Sequence, residues 1–287
     1  MEIIVGKTAG FCYGVKRAVE GAMKELNEDT DVYCLGEIVH NKHVIYELEN
    51  KGMKFINNLD DSNGTTIIRA HGVAKEIYEY AKQKNIEIKD YTCPNVLKIH
   101  DITKEYSNNG YYIILCGSIN HPENIGTISY CGKNYSIIEN EEDIEKTLTD
   151  FQKSELKKIL LIAQTTYSLK RFDNIQKKIC RSLNSNIEIV IRNTICKATE
   201  LRQKETENLS KKVDYMIIIG GKNSSNTRKL YEIAKKECEN SVCVENEEEL
   251  NVSDIKKFEK IGIIAGASTP QKSIDEVVKK LMRVYKF

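Results

Sequence analysis

The chain has 287 residues, 40% of them hydrophobic, which is enough to bury full cores in two or three small domains. Its 43 basic and 42 acidic residues nearly cancel, so it has no broad electrostatic footprint for nucleic acid or an anionic membrane, and any anion it binds must meet a local site. The longest apolar runs, such as Tyr111 to Cys116 and Met216 to Ile219, fall far short of the roughly 20 residues that a membrane span needs.

In chain order, short runs of Ile, Val, Leu and Tyr predict strands over 2–5, 32–35, 66–68, 86–89, 111–115, 136–138, 159–162, 187–191, 215–219, 241–244 and 261–264. Lys- and Glu-rich stretches with apolar residues at helical spacing predict helices after most strands, for example over 16–26, 74–84, 95–107, 169–183, 199–212, 227–239 and 271–284. The alternation describes repeated β-α units, an α/β fold of parallel sheets covered on both faces. Met1 and Glu2 lead straight into the first strand pattern without the basic and small-residue segments of a signal peptide, so the expected compartment is the cytoplasm.

A fragment recurs along the chain: an apolar strand, a small residue, then a polar cluster. It reads Arg69-Ala70-His71-Gly72, Cys116-Gly117 running on to His121-Pro122-Glu123, Ala163-Gln164-Thr165-Thr166, Gly220-Gly221 running on to Ser224-Ser225-Asn226, and Gly266-Ala267-Ser268. Open α/β sheets bind ligands at the carboxyl ends of their strands, so these clusters predict one polar pocket. The three prolines, Pro94, Pro122 and Pro270, all flank candidate site residues, where a fixed φ makes the turn rigid. Pro270 also suits the start of a helix.

Nine cysteines without a CxxC pair exclude the usual zinc knuckle and the thioredoxin-type motif. Cys34, Cys116 and Cys243 lie within apolar strand patterns and read as core, and packing is also the expectation for Cys131, Cys180 and Cys238. Cys12, Cys93 and Cys196 differ, because each falls between a strand pattern and a helix, and a helix amino terminus favours a thiolate. They are separated by 81 and 103 residues, with 91 following the last, so they divide the chain into three comparable pieces and one ligand per piece suits a central site. The expected α/β lobes are 1–95, 96–192 and 193–287. Three thiolates on a four-iron cluster leave one iron open as a Lewis acid. Spacing alone is equally compatible with zinc or with no metal.

The segments Ala9-Gly10-Phe11-Cys12-Tyr13-Gly14-Val15, Glu37-Ile38-Val39-His40-Asn41, Arg69-Ala70-His71-Gly72-Val73, Thr92-Cys93-Pro94, His121-Pro122-Glu123, Gln164-Thr165-Thr166, Asn193-Thr194-Ile195-Cys196, Ser224-Ser225-Asn226 and Gly266-Ala267-Ser268-Thr269-Pro270 closely resemble the LytB family of 4-hydroxy-3-methylbut-2-enyl diphosphate reductases. The match runs in order over nearly the whole chain. The resemblance implies three small parallel-sheet lobes in a pseudo-threefold trefoil around one [4Fe-4S] cluster with Cys12, Cys93 and Cys196 as ligands and an open iron. It implies reductive removal of the allylic hydroxyl, giving isopentenyl and dimethylallyl diphosphates at the end of the non-mevalonate pathway. His40, His71, Ser224, Ser225, Asn226 and Ser268 match the phosphate-binding positions, and His121 lines the pocket. Glu123 matches the proton-relay acid and Thr165 the hydroxyl near the substrate alcohol.

The partners implied are an allylic diphosphate and an external electron donor such as ferredoxin or flavodoxin, because no flavin or nicotinamide fingerprint is present. Taken alone, Glu123 is one of 42 acids and reads as a solvated carboxylate, and Ser224 and Ser225 read as helix caps. His43 and His100 fall in predicted helices and are left outside the site.

Overall fold

The computed structural model describes residues 2–28 and 31–284. Met1, on which the reading of the amino terminus rests, lies outside them. The described residues form strands β1 (Glu2–Val5), β2 (Val32–Leu35), β3 (Lys54–Ile56), β4 (Thr65–Ile68), β5 (Ile88–Asp90), β6 (Tyr112–Cys116), β7 (Tyr135–Ile138), β8 (Lys158–Ala163), β9 (Glu188–Ile191), β10 (Tyr215–Ile219), β11 (Ser241–Val244) and β12 (Lys260–Ala265). Between them run helices α1 (Tyr13–Glu28), α2 (Lys42–Asn50), α3 (Lys75–Lys84), α4 (Pro94–Asn108), α5 (Pro122–Ile128), α6 (Asp143–Lys153), α7 (Leu169–Ser182), α8 (Lys197–Ser210), α9 (Ser225–Glu237) and α10 (Gln271–Val284). No helix among the described residues is long and apolar enough to cross a membrane.

The strands form three four-stranded sheets in which every neighbouring pair is parallel. Their orders are β3-β2-β4-β5, β7-β6-β8-β9 and β11-β10-β12-β1, one topology written three times, with the beginning of the chain supplying the last strand of the third sheet. The chain groups into two discontinuous compact units. Met1–Lys16, Val39–Leu48 and Lys197–Phe287 form one, which contains the sheet of β1 and β10 to β12. Arg17–Ile38 and Glu49–Cys196 form the other, which contains the remaining two sheets.

Parallel strands need helical crossovers that cover both sheet faces, and this shows in the burial. The central strands β2, β4, β6, β8, β10 and β12 are buried almost throughout, whereas the edge strands β1, β3, β5, β7, β9 and β11 are largely half-exposed. Each sheet has its own apolar packing, for example Ile114, Leu161, Phe172 and Ile175 around β6 and β8, and Ile217, Ile263, Ile274 and Val277 around β10 and β12. Cys34 and Cys116 are buried in β2 and β6 as predicted, and burial pushes the Cys34 thiol up to about 12, which keeps it protonated and inert. Cys180 is exposed, contrary to the packed position expected of it.

All eleven predicted strands are present, shifted by at most two residues at either end. The sequence missed β3, whose three residues are a half-exposed edge without a legible alternation. It also named no helix at α5 or α6. The former is too short to show a period, and the latter begins inside an acidic run.

Candidate active site

Each sheet changes direction between its two central strands, which is where open parallel sheets place ligands. The same three devices recur there. A glycine follows the first central strand, at Gly36, Gly117 and Gly220, and its amide donates to the end of the neighbouring edge strand, at Ile56, Ile138 and Val244. The glycine is required because the space beside it is filled: a Cβ at Gly117 would lie 2.3 Å from Asn124 Nδ2, and one at Gly220 2.6 Å from Thr227 Oγ1.

After the second central strand, a tight turn is closed by Gly72 N–H to the Arg69 carbonyl, Tyr167 N–H to Gln164 and Thr269 N–H to Gly266. Within each turn one carbonyl accepts an amide from the segment following the fourth strand, and in every case that amide belongs to a cysteine. Cys93 donates to Ala70, Cys196 to Thr165 and Cys12 to Ala267, all at 3.0–3.1 Å. A helix starts at the next residue each time, α4, α8 and α1. The three candidate ligands are therefore equivalent positions of one repeated fold, and all three are partly buried. No cysteine in a central strand shares this setting.

In the larger unit these turns form an unbroken series of contacts. Cys93 is bonded to the residue before His71, and His71 packs edge-on against His121 with ring centroids 5.4 Å apart. His121 caps α5, its Nδ1 accepting the Glu123 amide at 3.2 Å, which leaves the proton of a neutral imidazole on Nε2. Glu123 is 1% exposed, not solvated, and both carboxyl oxygens are engaged. Oε1 accepts the Thr165 amide at 2.6 Å and Oε2 the Thr165 hydroxyl at 2.5 Å. The Thr165 carbonyl then receives Cys196.

Burial pushes the Glu123 carboxyl up to about 7, against the opposing pull of the two Thr165 donors. A carboxyl poised near neutrality can hold a proton and release it. Asn124 and Gln164, one residue beyond Glu123 and one before Thr165, lock the arrangement. Asn124 Nδ2 donates to Gln164 Oε1 at 2.9 Å and to the Ser118 carbonyl at 2.7 Å, and Gln164 Nε2 donates to Thr166 Oγ1.

The smaller unit presents a different group. Ser224 caps α9 through its hydroxyl, Ser225 is the first residue of that helix, and Asn226 follows. Ser268, in the turn after β12, donates to the His40 carbonyl at 3.2 Å. The loop after β10 reaches the same carbonyl, since a Cβ on Gly221 would lie 2.6 Å from it. His40, Ser224, Ser225, Asn226 and Ser268 thus gather beside the ends of β10 and β12, with Cys12 one bond away through Ala267. Asn226 is 4% exposed, yet neither its amide nitrogen nor its carbonyl oxygen has a hydrogen-bond partner. An unsatisfied buried polar group costs about 1–3 kcal/mol, and a polar ligand is one way to recover it.

Sequence reasoning passed over two residues that this geometry brings in. His100 is 3% exposed with neither ring nitrogen bonded, and it stacks on Tyr130 at 4.9 Å. Its ring fills the space that side chains at Gly72 and Gly126 would need, so it packs α4 against both the His71 turn and α5. Asn95, two residues after Cys93, donates from Nδ2 to the Cys196 sulfur at 3.2 Å. His100 was legible as a histidine on an apolar face. Asn95 carried no sequence signal.

Three parallel sheets of one topology, with thiols and polar side chains at the carboxyl ends of their strands, define an α/β protein built by internal repetition. Residues 3–282 match the model of the LytB protein family, and the chain belongs to that family. It is 42% identical to the 4-hydroxy-3-methylbut-2-enyl diphosphate reductase of Caldanaerobacter subterraneus subsp. tengcongensis, over 98% of this chain and 96% of the relative. Among solved structures it is similar to (E)-4-hydroxy-3-methyl-but-2-enyl diphosphate reductase, described as the terminal enzyme of the non-mevalonate pathway, at 38% identity and a TM-score of 0.71 over 99% of this chain and 100% of that one. It is also similar to the E-1-hydroxy-2-methyl-but-2-enyl-4-diphosphate reductase from Plasmodium falciparum, at 32% identity and a TM-score of 0.89 over 97% and 87% of the respective chains.

Proposed function

We propose that this chain is a cytoplasmic iron-sulfur reductase that converts 4-hydroxy-3-methylbut-2-enyl diphosphate to isopentenyl and dimethylallyl diphosphates. The observation that carries the reading furthest is Glu123: a carboxyl buried at the end of a strand, raised towards neutrality and held on both oxygens by Thr165. Full-length relatives that bear the reductase name support the substrate.

In the reaction, two electrons and two protons replace the allylic C–OH by C–H and release water. The departing oxygen needs a proton as its bond breaks. Glu123 holds one in a place shielded from solvent, and the Thr165 hydroxyl bonded to it is the nearest group able to pass that proton on. The diphosphate is assigned to His40, His71, Ser224, Ser225, Asn226 and Ser268, with His121 lining the pocket. The unsatisfied amide of Asn226 and the small hydroxyls beside the start of α9 suit phosphate oxygens, which accept several bonds at once.

Cys12, Cys93 and Cys196 are the proposed ligands of one [4Fe-4S] cluster. Their repeat-equivalent placement before helices α1, α4 and α8 fits such a group, since it offers three sulfur donors at matching positions of the fold. When bound, a cluster with one open iron supplies Lewis acidity and single electrons. The electrons are assigned to an external protein such as ferredoxin or flavodoxin. The division into lobes 1–95, 96–192 and 193–287 belongs to the same proposal, except that β1 pairs with β12 in the third sheet.

The test is to reconstitute the chain anaerobically, supply a strong one-electron donor, and follow consumption of the hydroxylated diphosphate and release of both products. Turnover that Glu123→Gln abolishes while iron and sulfide stay bound supports the reading. A reconstituted cluster that leaves the substrate untouched contradicts it.

A further inference from the structure

The hydrogen bond from Asn95 to Cys196 joins two different repeats. Asn95 is the second residue of α4, the helix that follows Cys93, whereas Cys196 precedes α8. At 3.2 Å from Nδ2 to sulfur the contact is short for an N–H to sulfur bond. Asn95 is itself exposed, and Nδ2 has no other acceptor among the described bonds, so this contact is what fixes the side chain.

A thiolate sulfur carries more negative charge when the metal group it binds is reduced. A donor aimed at that sulfur stabilises the reduced form more than the oxidised one, and hydrogen bonds to ligand sulfur are among the levers by which a protein sets the potential of such a group.

We propose that Asn95 is a redox-tuning residue, whose side-chain amide raises the reduction potential of the metal group held by Cys196. The inference rests on the cluster assignment above and adds a residue to it. Asn95 touches neither the substrate pocket nor Glu123 in the described bonds, so it acts through Cys196 alone and is a positioning and tuning residue, not a catalytic one.

The experiment compares the anaerobically reconstituted wild-type chain with Asn95→Leu, which keeps the size but lacks the donor, and Asn95→Gln, which restores an amide on a longer arm. Iron and sulfide content is measured first, then the midpoint potential by spectroscopic redox titration. Asn95→Leu is expected to retain its cluster and to disfavour the reduced form about tenfold, equivalent to about 59 mV for a one-electron couple, with Asn95→Gln lying between the two. A second readout is the iron-sulfur stretching region in resonance Raman spectra, where exchange into deuterium oxide is expected to shift a ligand band in the wild type and not in Asn95→Leu.

Equal potentials and equal isotope response in chains with intact clusters overturn the role of Asn95 and leave the cluster assignment standing. A wild-type chain that binds no iron overturns both. If Asn95→Leu alone assembles poorly, a wild-type isotope shift that Asn95→Gln preserves supports the proposal, and its absence in the wild type defeats it.

Discussion

The polar group at the ends of β6 and β8 and the one at the ends of β10 and β12 stand on the same topology but are finished differently. Beside β6 and β8 the acid is saturated: Glu123 has both oxygens engaged by Thr165, and the neighbouring Asn124 and Gln164 brace each other. Beside β10 and β12, Asn226 is as deeply buried but its amide meets nothing. A group that must deliver a proton gains from being fixed before substrate arrives, whereas a group that must grip an anion gains from holding its bonding capacity in reserve. On the proposed function, the one repeated scaffold separates the chemistry from the grip.

The contrast breaks most sharply at Glu123. Glu123→Gln keeps the shape and removes the transferable proton, so turnover is expected to fall by about 10²–10⁴-fold in single-turnover assays, with iron and sulfide unchanged. Equal turnover would remove Glu123 from the mechanism.

Next in size is Asn226. Replacement by Leu, of similar volume, is expected to raise KM by about ten- to a hundredfold while leaving the chemical step nearly intact. The same change relieves the unsatisfied amide, so the free protein is expected to melt at a higher temperature. Looser binding joined to greater stability is a signature that a purely structural Asn226 would not give.

Thr165→Val sharpens the acid side. The Thr165 hydroxyl lowers the Glu123 pKa by stabilising the carboxylate, so its loss sends that pKa above about 7. Activity that needs the protonated acid falls as pH rises through this value, and in the variant that limb is expected at higher pH. Stability follows the same group. The folded pKa is raised above the ordinary 4.5, so its contribution is fully present below that value and is lost as pH rises through about 7. Glu123→Gln is expected to abolish this loss.

The smallest effect belongs to His100, which lies outside both groups but packs against the turn and helix that carry the first. Burial lowers its pKa from 6.5 to about 4, in spite of the nearby Asp101 and Asp90. Its contribution is present above pH 6.5 and is lost as pH falls towards 4. His100→Phe keeps the volume and the stack on Tyr130, so activity is expected to change little while unfolding in acid moves to lower pH, followed by circular dichroism.

The amino-acid sequence showed the α/β class and eleven of the twelve strands because central parallel strands are continuous apolar runs. It showed which cysteines differ, since Cys12, Cys93 and Cys196 stand between strand and helix patterns. It did not show that β1 closes the sheet of β10 and β12, because pairing between the ends of a chain leaves no local pattern. Nor did it show that Glu123 is buried. His121-Pro122-Glu123 reads as an exposed turn until Thr165 is seen to bond both oxygens of the buried carboxyl. The bond from Asn95 to Cys196 joins residues 101 positions apart, and only the fold brings them together.

The repeat equivalence of the three cysteines is tested most directly by the iron and sulfide content of anaerobically reconstituted wild type and of Cys12→Ser, Cys93→Ser and Cys196→Ser, with the exposed Cys180→Ser as control. The expected result is about four irons and four sulfides per chain in the wild type and the control, and a marked loss in each of the other three. A full complement in any one of those three would contradict the assignment of a single cluster to the three equivalent positions.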